Sequence, residues 1–321
     1  NEVYPTYYPP RKTPKECYEQ IIADLTDAEQ YAPDNDNSDR TKMTKTVAQA
    51  MLAKVYAEKE VQDYDKVIAY ADKVMNTAGV ELEDSYETLW GYDETAKDCM
   101  KRNTKEGILE VHWTTGSGNW ETWMYGRQLD NWDYNFTWAK WITPSRDIIN
   151  DFDKEGDEVR KNQAIVYYAC SWSNYYPASN YPFMYKLRSS YNNIYWVRLA
   201  DIILMKAEAE AYKGNLAESA KLVNQIRKRA KLKELTSDKT GSKESMIEAV
   251  LHERRLELAF EGERWFDLCR NNKVEQYLNG IDNRDSGRIR QVRQFDGNSY
   301  LLPIPQTALD QNTNLEQNPG Y

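Results

Sequence analysis

Histidine is almost missing from this 321-residue chain: His112 and His252 are the only two. Imidazoles so far apart in the chain leave little material for a zinc site or a histidine-based proton relay. Cysteine is scarce too. Cys17, Cys99, Cys170 and Cys269 form no CxxC pair and no metal-like spacing, so they read as core thiols, with one disulfide open in an oxidising compartment. Basic charge is in deficit: 42 Lys and Arg stand against 51 Asp and Glu, a net charge of -9. That excludes the electrostatic footprint of a duplex-DNA or RNA binder. No apolar run approaches the roughly 20 residues that span a bilayer. A phosphate-binding glycine loop, a GxSxG elbow and a dinucleotide fingerprint are all absent. Even Leu, Ile, Val and Phe are few: 59 residues, near the composition of a disordered chain.

What fills the gap is aromatic. Ten Trp and 24 Tyr outnumber six Phe. A ring with a polar handle can bury its face and still hydrogen-bond at its tip, so these residues supply a core and leave aromatic surface near water. The length admits one large domain or two ordinary ones. The opening NEVYPTYYPPRKTP reads as an extended Pro/Tyr segment. It begins with Asn and has no charged-then-apolar leader, as expected of a chain that starts inside a longer gene product.

Helical spacing follows. Thr13-Pro14 marks a helix start, and Tyr18, Ile21, Ile22, Leu25 and Ala28 form one apolar stripe ending near Pro33. Val47, Ala50, Met51 and Val55 mark a second helix. Tyr64, Val67, Ile68, Ala71 and Val74 mark a third that stops at Gly79 and pairs with the second. The pattern returns over Val197 to Tyr212, breaks at Lys213-Gly214-Asn215, and comes back through Ala217, Ala220, Val223 and Ile226. Such small-residue helix hairpins are degenerate tetratricopeptide (TPR) repeats. A further helix is expected from about Lys243 to Arg270, with Leu258, Phe260 and Phe266 in its apolar set and an interruption at Gly262. Within it, Arg254–Glu257 and Glu261–Arg264 have the spacing of ion pairs on one helix face, and the reading makes them structural clamps. His252 does not open a zinc motif, because position 256 is Leu where HExxH needs His.

Between the helical blocks the texture changes. Positions 113–141 hold six of the ten tryptophans with Gly and Asn interspersed, and a second patch runs from Tyr167 to Pro177. Neither keeps a helical or strand period, and both read as long functional loops. A sugar ring offers an apolar face of C–H groups and a rim of hydroxyls. Trp120, Trp123, Trp132, Trp172, Tyr175 and Tyr176 can stack on the face, while Arg127 and Asn131 (with Asn119 and Asp130) can take the rim. Asp130 and Asp133 are the one acidic pair in these loops with the potential for glycosidase chemistry. Spacing alone does not show carboxylates converging. No catalytic residue, metal or cofactor is assigned.

Four blocks carry a resemblance. They are VRLADIILMKAEA (197–209), NQIRKRA (224–230), ERRLELAFEGERWFDLCR (253–270) and LLPIPQ (301–306). The chain closes on NLEQNPGY (314–321), and weaker echoes lie in TPKECYEQIIADLTDAEQYAP and TPSRDIINDFDKEGDEVRKN. Their order and spacing resemble the RagB/SusD family of outer-membrane nutrient-binding proteins. The resemblance implies a mainly α, TPR-like helix-hairpin scaffold with long irregular aromatic-rich loops. It covers one SusD-like domain over 1–321, with helical pairs at about 15–79 and 197–279 and aromatic loops at about 107–196. It further implies a lipid-anchored protein on the extracellular face of the outer membrane, capturing glycan for a TonB-dependent, SusC-like barrel. The family's signal peptide, lipidated cysteine and a further N-terminal stretch do not appear in this chain, so a fragment is expected. Three other readings stand beside it: a helical glycoside hydrolase, an intracellular TPR scaffold for peptide or protein and, within the same family, a peptide binder. Neutral sugars release no counterions, so their binding is expected to be nearly independent of salt.

Overall fold

The computed structural model describes residues 7–93, 95–96, 98–113, 143–170, 173–189, 191–287, 290–291 and 293–321. Its first helix, Pro14–Tyr31, starts where the sequence places it. The Thr13 hydroxyl accepts from the Glu16 amide, and the Glu16 carboxylate accepts from the Thr13 amide. Its stripe is only half-buried: Ile22 and Leu25 pack against the next helices, while Ile21 is exposed.

Helices Lys45–Tyr56 and Tyr64–Met75 form the first antiparallel hairpin, capped by the side chains of Thr44 and Asp63. The second hairpin pairs Leu199–Lys213 with Leu216–Arg229 across Gly214, which sits at φ +84° as a left-handed cap must. Small residues bring the two backbones close enough for the Ser219 hydroxyl to donate to the Ala207 carbonyl at 2.7 Å. Helix 199–213 is buried on all sides from Leu199 to Ala211. It packs against its hairpin partner, against both helices of the first hairpin, and against helix Lys243–Glu257. Its charges are therefore paired: Asp201 with Lys54 and Arg254, Lys206 with Asp72, Glu208 with Arg270. The fold is mainly helical and TPR-like, as expected, with three two-stranded antiparallel sheets among the described residues.

Four expectations change. Val197 and Arg198 are strand, not helix: Ile194–Arg198 pairs with Gly107–Val111, and the helix begins at Leu199. Tyr167 and Tyr168 are strand, not loop, since Ile165–Tyr168 pairs with Tyr181–Met184. The long helix ends at Glu257 and resumes as Arg264–Arg270. Phe260 (φ +65°) and Gly262 (φ +88°) reverse the chain between them, and Phe266 is 58% exposed rather than core. The i,i+3 clamps do not form either. Arg254 pairs with Asp201 and Asp267, while Glu257 turns to Arg198, Arg229 and Arg160. Both residues are fully buried, so each meets partners from other elements instead of its helical neighbour.

Glu257 belongs to one connected network. Arg160, Lys186, Arg198, Arg227 and Arg229 meet Glu106, Asp157, Glu253, Glu257 and Glu261, and none of these side chains is more than 9% exposed. Burial alone would raise the Glu257 carboxyl; Arg229, Arg198 and Arg160 outweigh that and hold it well below the usual carboxylate range. A carboxyl depressed in the folded state adds stability above its unfolded value near 4.5, and that stability drains as pH falls. Glu257→Gln should therefore cost about 3–5 kcal/mol at pH 7, because three guanidinium groups lose a shared counter-charge. Urea midpoints from pH 7 to pH 3 check this. The wild type should weaken progressively below about pH 4.5, and the variant less steeply.

Candidate functional site

A cleft of about 740 Å³ opens beside the network. One wall is the start of helix Arg146–Glu155, where the Ser145 hydroxyl caps the Ile148 amide. A second is the end of the 165–184 hairpin with Met184, Lys186 and Leu187. A third is the reversal from Leu258 to Trp265, and the fourth comes from Asn193, Ile194, Tyr195 and Trp90. At Gly262 a Cβ would meet nothing within 4 Å, so backbone conformation, not space, calls for glycine there. Phe260 has no such excuse. A bulky residue at positive φ costs on the order of 1–3 kcal/mol, and such strain tends to gather at ligand sites.

The lining is apolar with a polar rim. Ile148, Leu258, Phe260 and half-buried Trp265 offer hydrophobic and ring surface, and Thr143, Ser145 and Asn193 offer hydrogen bonds. Its size falls in the range of small-molecule sites. Trp90 is 3% exposed, and its indole Nε1 has no hydrogen-bond partner among the described residues. Lys186 donates to the Glu257 carbonyl and pairs with Glu261. Glu261, which also pairs with Arg198, is the only carboxylate in the lining among the described residues. Burial, with Arg255 nearby, pushes the Arg264 guanidinium down to about 10, so it stays charged at neutral pH.

The described residues on either side of the Trp-rich stretch, Trp113 and Thr143, each connect to this cleft. On one side the Trp113 carbonyl accepts from Arg102 at 2.8 Å, and the same guanidinium reaches Asn193, a cleft residue, at 3.4 Å. On the other, Thr143 lines the cleft and shares a hydroxyl contact with Tyr181 at 3.1 Å. Trp120, Trp123, Arg127, Asn131, Trp132 and Trp172 lie outside the described residues, as do Asn119, Asp130 and Asp133. Tyr175 is exposed, and its carbonyl accepts from Arg146. Tyr176 is half-buried. Its hydroxyl donates to the Pro144 carbonyl at 2.6 Å, and the Arg146 guanidinium covers one ring face at 4.0 Å. Tyr176 is thus fastened to the 143–145 stretch that walls the cleft.

Sequence reasoning missed Trp265, Phe260 and Arg264, which sit in the block it read as structural, and Trp90, which lies outside the Trp-rich loops. It also missed Trp196. This residue falls at an irregularity in the 107–111/194–198 ladder and is 62% exposed. The alternation of IYWVR was the available signal. All four cysteines are free: Cys99 and Cys170 are buried, Cys269 is half-buried, and Cys17 is exposed rather than core. Among the described residues no cluster of three or more His, Cys, Asp or Glu is placed to hold a metal ion.

The sequence pattern of the SusD family matches residues 26–321. The chain belongs to the SusD family. It is 28% identical to SusD-like protein P2 of Formosa agariphila, over 97% of this chain and 66% of that one. It is also 36% identical, over 135 residues, to SusD-like protein P38 of the same organism, spanning 40% of this chain and 25% of that one. The match thus spans less than two thirds of the length of either relative. A SusD superfamily protein of Bacteroides vulgatus ATCC 8482 shares the fold, with a TM-score of 0.75 at 23% identity over 98% of this chain and 70% of that one. A candidate sugar-binding protein of the same strain also superposes with a TM-score of 0.75. It is 26% identical and covers 99% of this chain and 68% of its own. In this SusD-family chain the ERRLELAFEGERWFDLCR block builds both the network and the strained wall of the cleft.

Arg146 ties the tyrosine loop to the cleft through Tyr175, Tyr176 and Asp285. Arg146→Ala should raise amide exchange across residues 173–177 by about tenfold and leave helix 199–213 unchanged. Hydrogen-exchange mass spectrometry reads both segments.

Proposed function

We propose that this chain is the glycan-binding part of a non-enzymatic cell-surface lipoprotein, one that captures oligo- or polysaccharide for import through a TonB-dependent, SusC-like barrel in the outer membrane. A lipid anchor would hold it on the extracellular face. One observation carries the reading: a cleft of about 740 Å³ has Trp265 in its wall and an apolar lining with a hydroxyl and amide rim. Rings give stacking area, and a rim of hydroxyl and amide groups orients the sugar. Walls fixed by the ion network limit the ordering cost of binding. Family membership and the candidate sugar-binding relative support the same ligand class. The single lining carboxylate among the described residues, already paired twice, supports capture over hydrolysis, which needs two carboxyl groups across the scissile bond.

The test is titration of the chain with cello-, xylo-, malto- and mannohexaose and their parent polysaccharides, followed by tryptophan fluorescence and calorimetry. Binding of at least one glycan is expected without release of reducing ends. Trp265→Ala and Trp120→Ala should each weaken it about tenfold, or about 1.4 kcal/mol. Silence across the panel, or hydrolysis, would overturn the proposal.

A further inference from the structure

The protein carries a net charge of -9, yet its cleft is lined by Lys186, Arg254, Arg255 and Arg264 against Glu261 alone among the described residues. Three of these cations are spoken for. Arg254 is held by Asp201 and Asp267, Arg255 by Asp147 and Asp151, and Lys186 by Glu261. Arg264 differs. One of its N–H groups donates to the Leu251 carbonyl at 3.0 Å, and its guanidinium lies 4.7 Å from the centre of the Tyr277 ring. Among the described residues no carboxylate comes within ion-pair distance of it; the nearby Asp267 is committed to Arg254 and Arg270. Trp90, a residue of the same lining, carries a second unspent donor, its buried Nε1.

A guanidinium presents a planar fork of N–H donors matched to a group with two or three anionic oxygens. A neutral hydroxyl supplies no charge to answer it. Trp265, the next residue in the chain, places a ring in the same lining, so a sugar can stack while its substituent meets Arg264. We propose that the cleft selects an acidic sugar residue, a uronic carboxylate or a sulfate ester, with Arg264 as its counter-charge and Trp90 Nε1 as a further donor. This inference rests on the glycan-binding reading and narrows it.

The probes are hexasaccharides of galacturonate, alginate and chondroitin sulfate, each beside its carboxyl-reduced or desulfated counterpart, titrated by calorimetry at 50 and 200 mM salt. The neutral panel is run in parallel. At least one acidic probe should bind tenfold or more tighter than its neutralised form and lose affinity at the higher salt. The carboxyl-reduced and desulfated arms separate a uronate from a sulfate ester. Arg264→Gln should erase that preference, so that the acidic and neutralised probes bind the variant within twofold of each other. Trp90→Phe, which keeps a ring and removes only the indole N–H donor, should reduce it about threefold and serves where Arg264→Gln does not fold. Equal binding of acidic and neutralised probes by the wild type would overturn this inference and leave glycan binding standing. A preference undiminished in both variants would place the anion elsewhere and also overturn it. Silence of every glycan, acidic and neutral, would sink both.

Discussion

Glu257 is the point on which the architecture turns. Its carboxylate meets Arg198 from the strand–helix junction, Arg229 from the second hairpin and Arg160 from the helix before the 165–184 hairpin, and the Tyr86 hydroxyl donates to it. Four separate stretches of chain are thereby fixed to one atom pair. Burying ten charged side chains is expensive, and an apolar replacement of equal shape is often as stable. The network's physical worth lies elsewhere. Each partner has one place where its charge is answered, so the elements cannot slide past each other without stranding a buried ion. For a chain with only 59 Leu, Ile, Val and Phe, such directional contacts supply specificity that a thin aliphatic core supplies less well.

The same network shapes the cleft. Glu261 sits between Arg198 and Lys186, which holds the reversal from Leu258 to Trp265 in place and keeps Phe260 at its positive φ. Network residues and cleft-lining residues are therefore interleaved in the ERRLELAFEGERWFDLCR block. Glu253, Glu257 and Glu261 of that block turn to the network, while Phe260, Arg264 and Trp265 line the cavity.

That double use explains what the sequence could and could not reveal. Local signals were legible: Thr13-Pro14 and Gly214 mark helix ends through contacts within a few residues. The family blocks were legible for the same reason, since they are contiguous. Partner choice was not. The i,i+3 spacing of Arg254 and Glu257 is a surface rule, and it fails when both side chains are buried among charges distant in the chain. The strand at Ile194–Arg198 was hidden because Val197 also fits the helical stripe, and only pairing with Gly107–Val111 decides between them. Tyr167 and Tyr168 were hidden because Ile165–Tyr168 has no period-two alternation, being buried at Ile165 and half-buried at the next three positions. Of the eight ligand-binding candidates, Tyr175 and Tyr176 are the two with described positions, beside the cleft wall.

The cleft residues escaped notice because residue type does not reveal whether a charge is answered. Arg254, Arg255 and Arg264 lie within eleven positions of one another, and a sequence shows three equivalent guanidinium groups. Their environments divide them. Arg254 reaches two buried carboxylates and Arg255 two on helix 146–155, whereas Arg264 reaches a carbonyl and a ring. A charge left without a carboxylate beside a cavity keeps its pull on whatever enters, and in low-dielectric surroundings that pull is stronger than in water. Binding selectivity in such a site arises from the imbalance and not from the number of cations. The network sets five cations against five carboxylates and contributes rigidity, whereas Arg264, outside it and without a carboxylate partner among the described residues, is the charge on which the acidic-sugar proposal rests.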